Sequence, residues 1–298
     1  MRSLDADAVA ALGPGGAVRA VTEALRGGLD PAAGPPRVPV GLTHGHFLLM
    51  PAETPAGAGV KVVTVAPGNP ARGLPRIHAS YLLFDRDTLA LRALLDGTAL
   101  TTLRTPAVSV AAVLPRLPHR PLRLAVVGAG PQAVGHAATL AAVRPLGTVT
   151  YLVRDPTRTP LEAVPLGTPG AQDALRAADV VVCATSARSP VFDSALLRDD
   201  AVVVAVGAHE PDARELDAAL LGRATVVVED VGTALREAGD VVLAIAEGAL
   251  TPADLVPMAD VVTGRVAVPA DRPVVVKTVG MSWQDLVVAT AVAEHHGA

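Results

Sequence analysis

Between Arg37 and Leu95 the chain carries five apolar runs of strand length: RVPVGL, HFLLM, GVKVVTV, IHASYLLF and LALRALL. Turn residues separate them and no helical period intervenes, which predicts an antiparallel or mixed sheet. Two short helical patterns precede them, Leu4 to Leu12 and Ala17 to Arg26, the second stopped by Gly27-Gly28. After the sheet, TALTTLRTPAVSVAAVL reads as a helix, with Pro106 predicting a kink or a restart capped by Thr105.

The prolines of LPRLPHRPL mark a linker, and beyond it the rhythm changes. LRLAVV, VTYLV, DVVVCA, AVVVAV and TVVVE are near-continuous Val-rich runs with helical stretches between several of them. Such runs fit parallel strands buried on both faces, hence a doubly wound α/β domain. Between Arg154 and Ala178 stand Pro156, Pro160, Pro165 and Pro169. They predict that the usual second helix and third strand of such a domain are shortened or missing. The last thirty residues read as a strand and a long amphipathic helix. The expected division is 1–117, 118–267, and a C-terminal segment 268–298.

Half of the 298 residues are apolar and 18% are charged, so a disordered chain is excluded. A net charge of −4 and six aromatic residues give no footprint for nucleic acid. The N-terminus lacks the apolar core of a signal peptide, and no apolar run approaches the ~20 residues of a membrane helix. A cytoplasmic protein with neither membrane nor nucleic-acid partners is expected. The lone cysteine, Cys183, lies in an apolar run and reads as a buried thiol, and no metal site is expected.

Lysine use is more informative. Of 25 basic residues only two are lysine, Lys61 and Lys277, and both interrupt apolar β-branched runs. A lysine there is costly to bury unpaired, yet it offers a compact, tunable charge that arginine does not. The alternative for each is a strand lysine whose head reaches water.

Gly128, Gly130 and Ala133 form G-x-G-x-x-A between a strand and a helix, with Pro131 and Gln132 inside the turn. The glycines permit the tight turn and the approach of a diphosphate, and the small third residue lets helix and strand pack closely. The diphosphate then meets the helix N-terminus. At the end of the second strand stands Arg154, with Asp155 next and Arg158 close behind. Two guanidiniums suit the 2′-phosphate of NADP(H), and Asp155 keeps NAD(H) possible. Thr185 and Ser186, at the end of another strand, are expected to line the cofactor cleft.

PPRV, LLMPA, GVKVV followed by PGN, LLDGTALTTLRT, VVGAGPQA, ADVVVCATSARSP, AVGAHEPDARELD and VVKTVGMSWQDL resemble the ornithine cyclodeaminase / mu-crystallin family almost end to end. The resemblance implies a Rossmann domain plus a mixed α+β substrate and dimerisation domain completed by the C-terminal segment. It implies a homodimer and an active site in the cleft between the domains. By the same likeness, Arg37, Lys61 and Arg104 match residues that hold a substrate α-carboxylate. Cyclodeaminases of the family carry a Glu just before the LMP motif and an Asp in a GG-D-x-P-x-x-x-EL segment. Here those positions are Leu48 and His209. The likeness therefore implies the reductase branch: NAD(P)H-dependent reduction of a cyclic ketimine carboxylate such as Δ1-pyrroline-2-carboxylate, with Lys61 and His209 as catalytic residues. Three rivals remain at this point. They are an ornithine cyclodeaminase acting as a lyase with NAD, an amino-acid dehydrogenase or opine-like synthase, and a non-catalytic crystallin-like ligand binder.

Overall fold

A computed structural model describes residues 1–298, which divide into two units: residues 1–108 with 280–298, and residues 109–279. The first unit holds a six-stranded sheet built from β1 (Arg2–Leu4), β2 (Val38–Leu42), β3 (Gly45–Thr54), β4 (Gly57–Val65), β5 (Ile77–Phe84) and β6 (Leu91–Asp96). Its order is β1-β6-β5-β4-β3-β2. β2 to β6 form an antiparallel meander, and β1 adds in parallel to β6, so the sheet is mixed.

The two faces of this sheet differ. On one, Met50, Ala52, Lys61, Tyr81, Leu83 and Leu95 are buried, and the helix Ser282–His295 packs against β3, β4 and β5. That helix is not the amphipathic one expected. Ten of its residues, including Trp283, Gln284, Asp285 and Thr290, are buried, because neighbours cover nearly all of its surface. The other face carries Val38, Val40 and Leu42 of β2, 45%, 39% and 48% exposed. Phe47 and Leu49 of β3 and Val62 of β4 continue that face by register.

The helix Gly97–Val113 runs without a restart through Pro106. A proline removes one hydrogen bond, and the surrounding burial of Ala107, Val108 and Val110 holds the turn together.

The second unit holds an eight-stranded sheet: β7 (Leu122–Val127), β8 (Leu146–Val153), β9 (Ala163–Pro165), β10 (Val180–Cys183), β11 (Val202–Ala205), β12 (Thr225–Val228), β13 (Leu255–Pro257) and β14 (Val274–Lys277). The order is β13-β12-β14-β11-β10-β7-β8-β9, and every pairing is parallel. This is a Rossmann-type, doubly wound sheet whose direction of winding reverses between β7 and β10. The expected shortening is present in a specific form. Between β8 and β9 a single 3-10 turn, Pro156–Arg158, takes the place of a helix, and β9 has three residues.

Two boundaries differ from the sequence expectation. The division falls at Val108/Ser109, inside the helix Gly97–Val113, rather than in the proline-rich linker. The return to the first unit begins at Gly280 rather than at 268, because β14 lies between β11 and β12 in the second sheet. No helix is long and apolar enough to cross a membrane.

Candidate functional site

In the first unit three cations from distant parts of the chain gather near one carboxylate. β4 puts Lys61 on the buried face, directly across from Met50 of β3 and Tyr81 of β5. Its ammonium donates to both oxygens of Asp285, at 2.9 and 2.8 Å, and to the Thr101 hydroxyl at 3.3 Å. Arg104 donates from Nε to Asp285 Oδ1 at 3.2 Å and from a terminal nitrogen to Gln284 Oε1 at 2.7 Å. Arg37, half-buried ahead of β2, donates to the carbonyl of Gly280 at 2.6 Å.

Asp285 is fully buried in the first turn of its helix, where the exposed backbone amides favour an anion. Gly280, just upstream, has φ +84°, and an added Cβ would lie 2.9 Å from a terminal nitrogen of Arg104. A side chain at 280 would displace the guanidinium.

Three cations around one carboxylate leave an excess of positive charge. The Lys61 ammonium feels it. Burial lowers its pKa from 10.5 to about 8, the Asp285 carboxylate opposes the shift, and Arg104 and Arg37 add to it. Neither Lys61 nor Lys277 reaches water with its head, since both are buried. Beside Lys61, the Tyr81 hydroxyl is buried with no hydrogen-bond partner in the protein. Burial, with Asp285 nearby, pushes that hydroxyl well above the usual tyrosine range. Its ring lies over Gly59, where a Cβ would sit 2.2 Å from the hydroxyl oxygen. Leu48 shares the face of Met50 and Lys61, two residues along β3, so an apolar side chain occupies that stretch of the sheet.

In the second unit the remaining predicted residues gather at the carboxyl ends of β7, β8, β10 and β11, the edge where doubly wound sheets bind ligands. Gly128 has φ +118°, and a Cβ there would lie 2.5 Å from the Ala184 carbonyl oxygen, so only glycine fits. The helix Pro131–Val143 follows with no side chain capping its N-terminus. Its first amides are thus available to an anion. Pro131 opens it and Ala133 is buried at 0% exposure. The Gln132 carbonyl accepts from His136 Nδ1 at 2.7 Å, and the other ring nitrogen of this buried histidine meets the Ser109 hydroxyl at 3.1 Å. Burial lowers the His136 pKa to about 4, so the ring is neutral.

Arg154 and Arg158 are exposed around the turn that ends β8. Asp155 caps that turn: its Oδ1 accepts from the Thr157 amide at 3.0 Å and hydroxyl at 2.6 Å. Thr185 donates from its amide and hydroxyl to buried Glu215 at 2.8 and 2.7 Å, whereas Ser186 and His209 are exposed. Cys183 is buried, and burial pushes its thiol well up. Sequence reasoning missed Gln284, Glu215 and Asp240 and gave Asp285 no firm role. The available signal was a carboxylate inside an otherwise apolar helix pattern, as in WQDLVVATAV and GDVVLAIA.

These residues fit a nicotinamide dinucleotide. A strand, a glycine turn and an uncapped helix N-terminus supply the diphosphate cradle, and the cationic cluster of the first unit suits a planar carboxylate.

A family model described as the ornithine cyclodeaminase/mu-crystallin family matches residues 15–298. The chain is 34% identical over 263 residues to Delta(1)-pyrroline-2-carboxylate reductase 2 of Burkholderia ambifaria, covering 85% of this chain and 81% of that protein. It is also 34% identical over 264 residues to the ketimine reductase mu-crystallin of Rattus norvegicus, covering 86% and 82%. Among solved structures, a Delta(1)-pyrroline-2-carboxylate reductase of Thermococcus litoralis in complex with NADH and L-proline superposes with a TM-score of 0.86. It is 26% identical and is covered over 99% of its length, against 100% of this chain. The chain belongs to the ornithine cyclodeaminase/mu-crystallin family.

Proposed function

We propose that this protein reduces a cyclic ketimine carboxylate to the corresponding cyclic amino acid with a reduced nicotinamide dinucleotide. The observation that carries the reading is the convergence of Lys61, Arg104 and Arg37 on a region with one carboxylate, Asp285. That excess of cations suits the substrate's own carboxylate, and Leu48 gives no anion for a second amine. The relatives named as pyrroline-2-carboxylate and ketimine reductases support the same chemistry.

When bound, the dinucleotide supplies the hydride that adds to the imine carbon. The protein's own tasks are then few. Arg104 and Arg37 orient the carboxylate, and Lys61 adds a point charge beside it. The product nitrogen keeps the proton of a protonated imine, and His209 holds or relays that proton when the imine arrives neutral. Gly128, Gly130 and the N-terminus of Pro131–Val143 hold the diphosphate. Thr185 and Ser186 flank the cofactor. We favour NADPH over NADH because Arg154 and Arg158 are exposed at the end of β8 while Asp155 is engaged in capping the turn. The apolar outer face of the first sheet fits a second copy of the chain, giving a homodimer.

The test is to mix the protein with NADPH and Δ1-pyrroline-2-carboxylate or Δ1-piperideine-2-carboxylate and follow the absorbance of the reduced nicotinamide. Loss of absorbance with formation of proline or pipecolate supports the reading. No turnover with either imine, or ammonia release from ornithine instead, overturns it.

A further inference from the structure

The second unit contains a buried polar network that the chemistry above does not use. Lys277, the last residue of β14, is fully buried; its ammonium lies 3.0 Å from Asp240 Oδ2 and donates to the Ala208 carbonyl. The other oxygen of Asp240 accepts from the backbone amides of Glu215 and Leu216, at 2.7 and 2.8 Å. The Glu215 carboxylate then reaches two loops at once. One oxygen accepts from the Thr185 amide and hydroxyl after β10, and the other from the Gly207 amide after β11 at 2.7 Å.

The loops are pressed together where this network ties them. A Cβ on Gly207 would lie 2.0 Å from the Thr185 carbonyl oxygen, and one on Gly128 would lie 2.5 Å from that of Ala184. The turns after β7, β10 and β11 thus form one continuous set of contacts. The network links the last two of these turns to the centre of the sheet through Lys277.

Burying two carboxylates and an ammonium is a poor way to gain stability, because desolvation offsets most of the attraction. Such a network fixes geometry instead. In a doubly wound fold the half beyond the switch point receives the second mononucleotide of a dinucleotide, while the first half receives the adenosine end. The loops held by Glu215 belong to that second half.

We infer that Glu215, backed by Lys277 and Asp240, is a positioning residue for the nicotinamide half of the cofactor: it sets the loops carrying Thr185 and Ala208-His209 and leaves the adenosine half untouched. This rests on the dinucleotide reading given above. The decisive variant is Glu215→Gln, which keeps the volume but turns an N–H toward one of the N–H groups that the carboxylate receives. The measurement is the heat of binding of two probes. One is the reduced dinucleotide that the unaltered protein binds more tightly. The other is the matching adenosine fragment, 2′,5′-ADP for NADPH or 5′-AMP for NADH.

Loss of about tenfold in dinucleotide affinity, with fragment affinity unchanged within about twofold, is the expected result. Equal loss on both probes, or loss on neither, overturns the inference. Should Glu215→Gln fail to fold, Asp240→Asn decides by the same split, since its Oδ1 still accepts from the Glu215 and Leu216 amides while the ion pair of Oδ2 with Lys277 is lost: about threefold on the dinucleotide alone supports the inference, and no split overturns it. If the unaltered protein binds neither probe, the dinucleotide reading itself fails.

Discussion

The ammonium of Lys61 lies 2.8 Å from the carboxylate of Asp285, with both side chains almost wholly buried. The two residues are 224 positions apart, so the C-terminal helix must return to the first sheet before the pair exists. This pair ties folding of the first unit to the charge state of its cationic cluster.

Asp285→Asn removes the anion and leaves Lys61 and Arg104 facing each other. Breaking a buried pair from one side costs about 3–5 kcal/mol. The unfolding free energy is expected to fall by that amount, seen as a lower denaturant midpoint at an unchanged slope, and an unchanged midpoint would show the pair to be energetically idle.

Lys61 predicts a pH dependence. With its pKa lowered to about 8, the ammonium is lost as pH rises through that value, and KM for the imino carboxylate is expected to climb above it. Lys61→Arg keeps the charge, and its KM is expected to stay flat over the same range. Stability moves in the opposite sense. Between about 8 and 10.5 the unfolded chain holds a proton at Lys61 that the folded chain has released, so this group's destabilising effect fades as pH rises through that window. Denaturant titrations across the window check the sign.

Tyr81 and Gly59 make a paired prediction. An unpartnered buried hydroxyl costs about 1–3 kcal/mol, so Tyr81→Phe is expected to raise the unfolding free energy. Gly59→Ala places a methyl where the Tyr81 hydroxyl lies, 2.2 Å away, and overpacking of this kind costs about 1–3 kcal/mol. The double variant recovers part of that loss. Thermal melts of the three proteins decide.

Much of this architecture is legible in the residues themselves. The short apolar runs of β2 to β6, joined by turns with no helical period between them, and the Val runs of β7, β10 and β11, with helical stretches between several of them, separate the two sheets in the sequence alone. Lys61 stands out because a lysine in GVKVVTV needs a partner. The partner is another matter. Asp285 sits in a helix that reads as amphipathic, and only long-range packing makes every face of that helix buried. Lys277 shows the same limit, since nothing near it in sequence points to Asp240. The division inside Gly97–Val113 was hidden for a related reason. A helix can carry the chain between units without any composition change, while the proline-rich stretch that suggested a linker follows it as a 3-10 turn.

Arg154→Ser is expected to weaken NADPH binding by tenfold or more, on the scale of about 1.5–3 kcal/mol for a charge-assisted hydrogen bond, with NADH binding little changed. Equal effects on both cofactors would remove Arg154 from the 2′-phosphate.

Val40→Asp puts a charge in the middle of the apolar outer face of the first sheet, where Val40 is 39% exposed. Sedimentation is expected to show a dimer for the unaltered protein and a monomer for the variant. A monomer in both cases would leave that face without the proposed partner.

In the proposed reaction a surplus of buried cations selects the substrate by its carboxylate. Steady-state turnover of Δ1-pyrroline-2-carboxylate and of Δ1-pyrroline, which lacks the carboxylate, tests it most directly. Turnover of the first is expected, with a kcat/KM lower by at least about a hundredfold for the second, since each lost charge-assisted contact is worth about 1.5–3 kcal/mol. Comparable kcat/KM values for the two imines would contradict it.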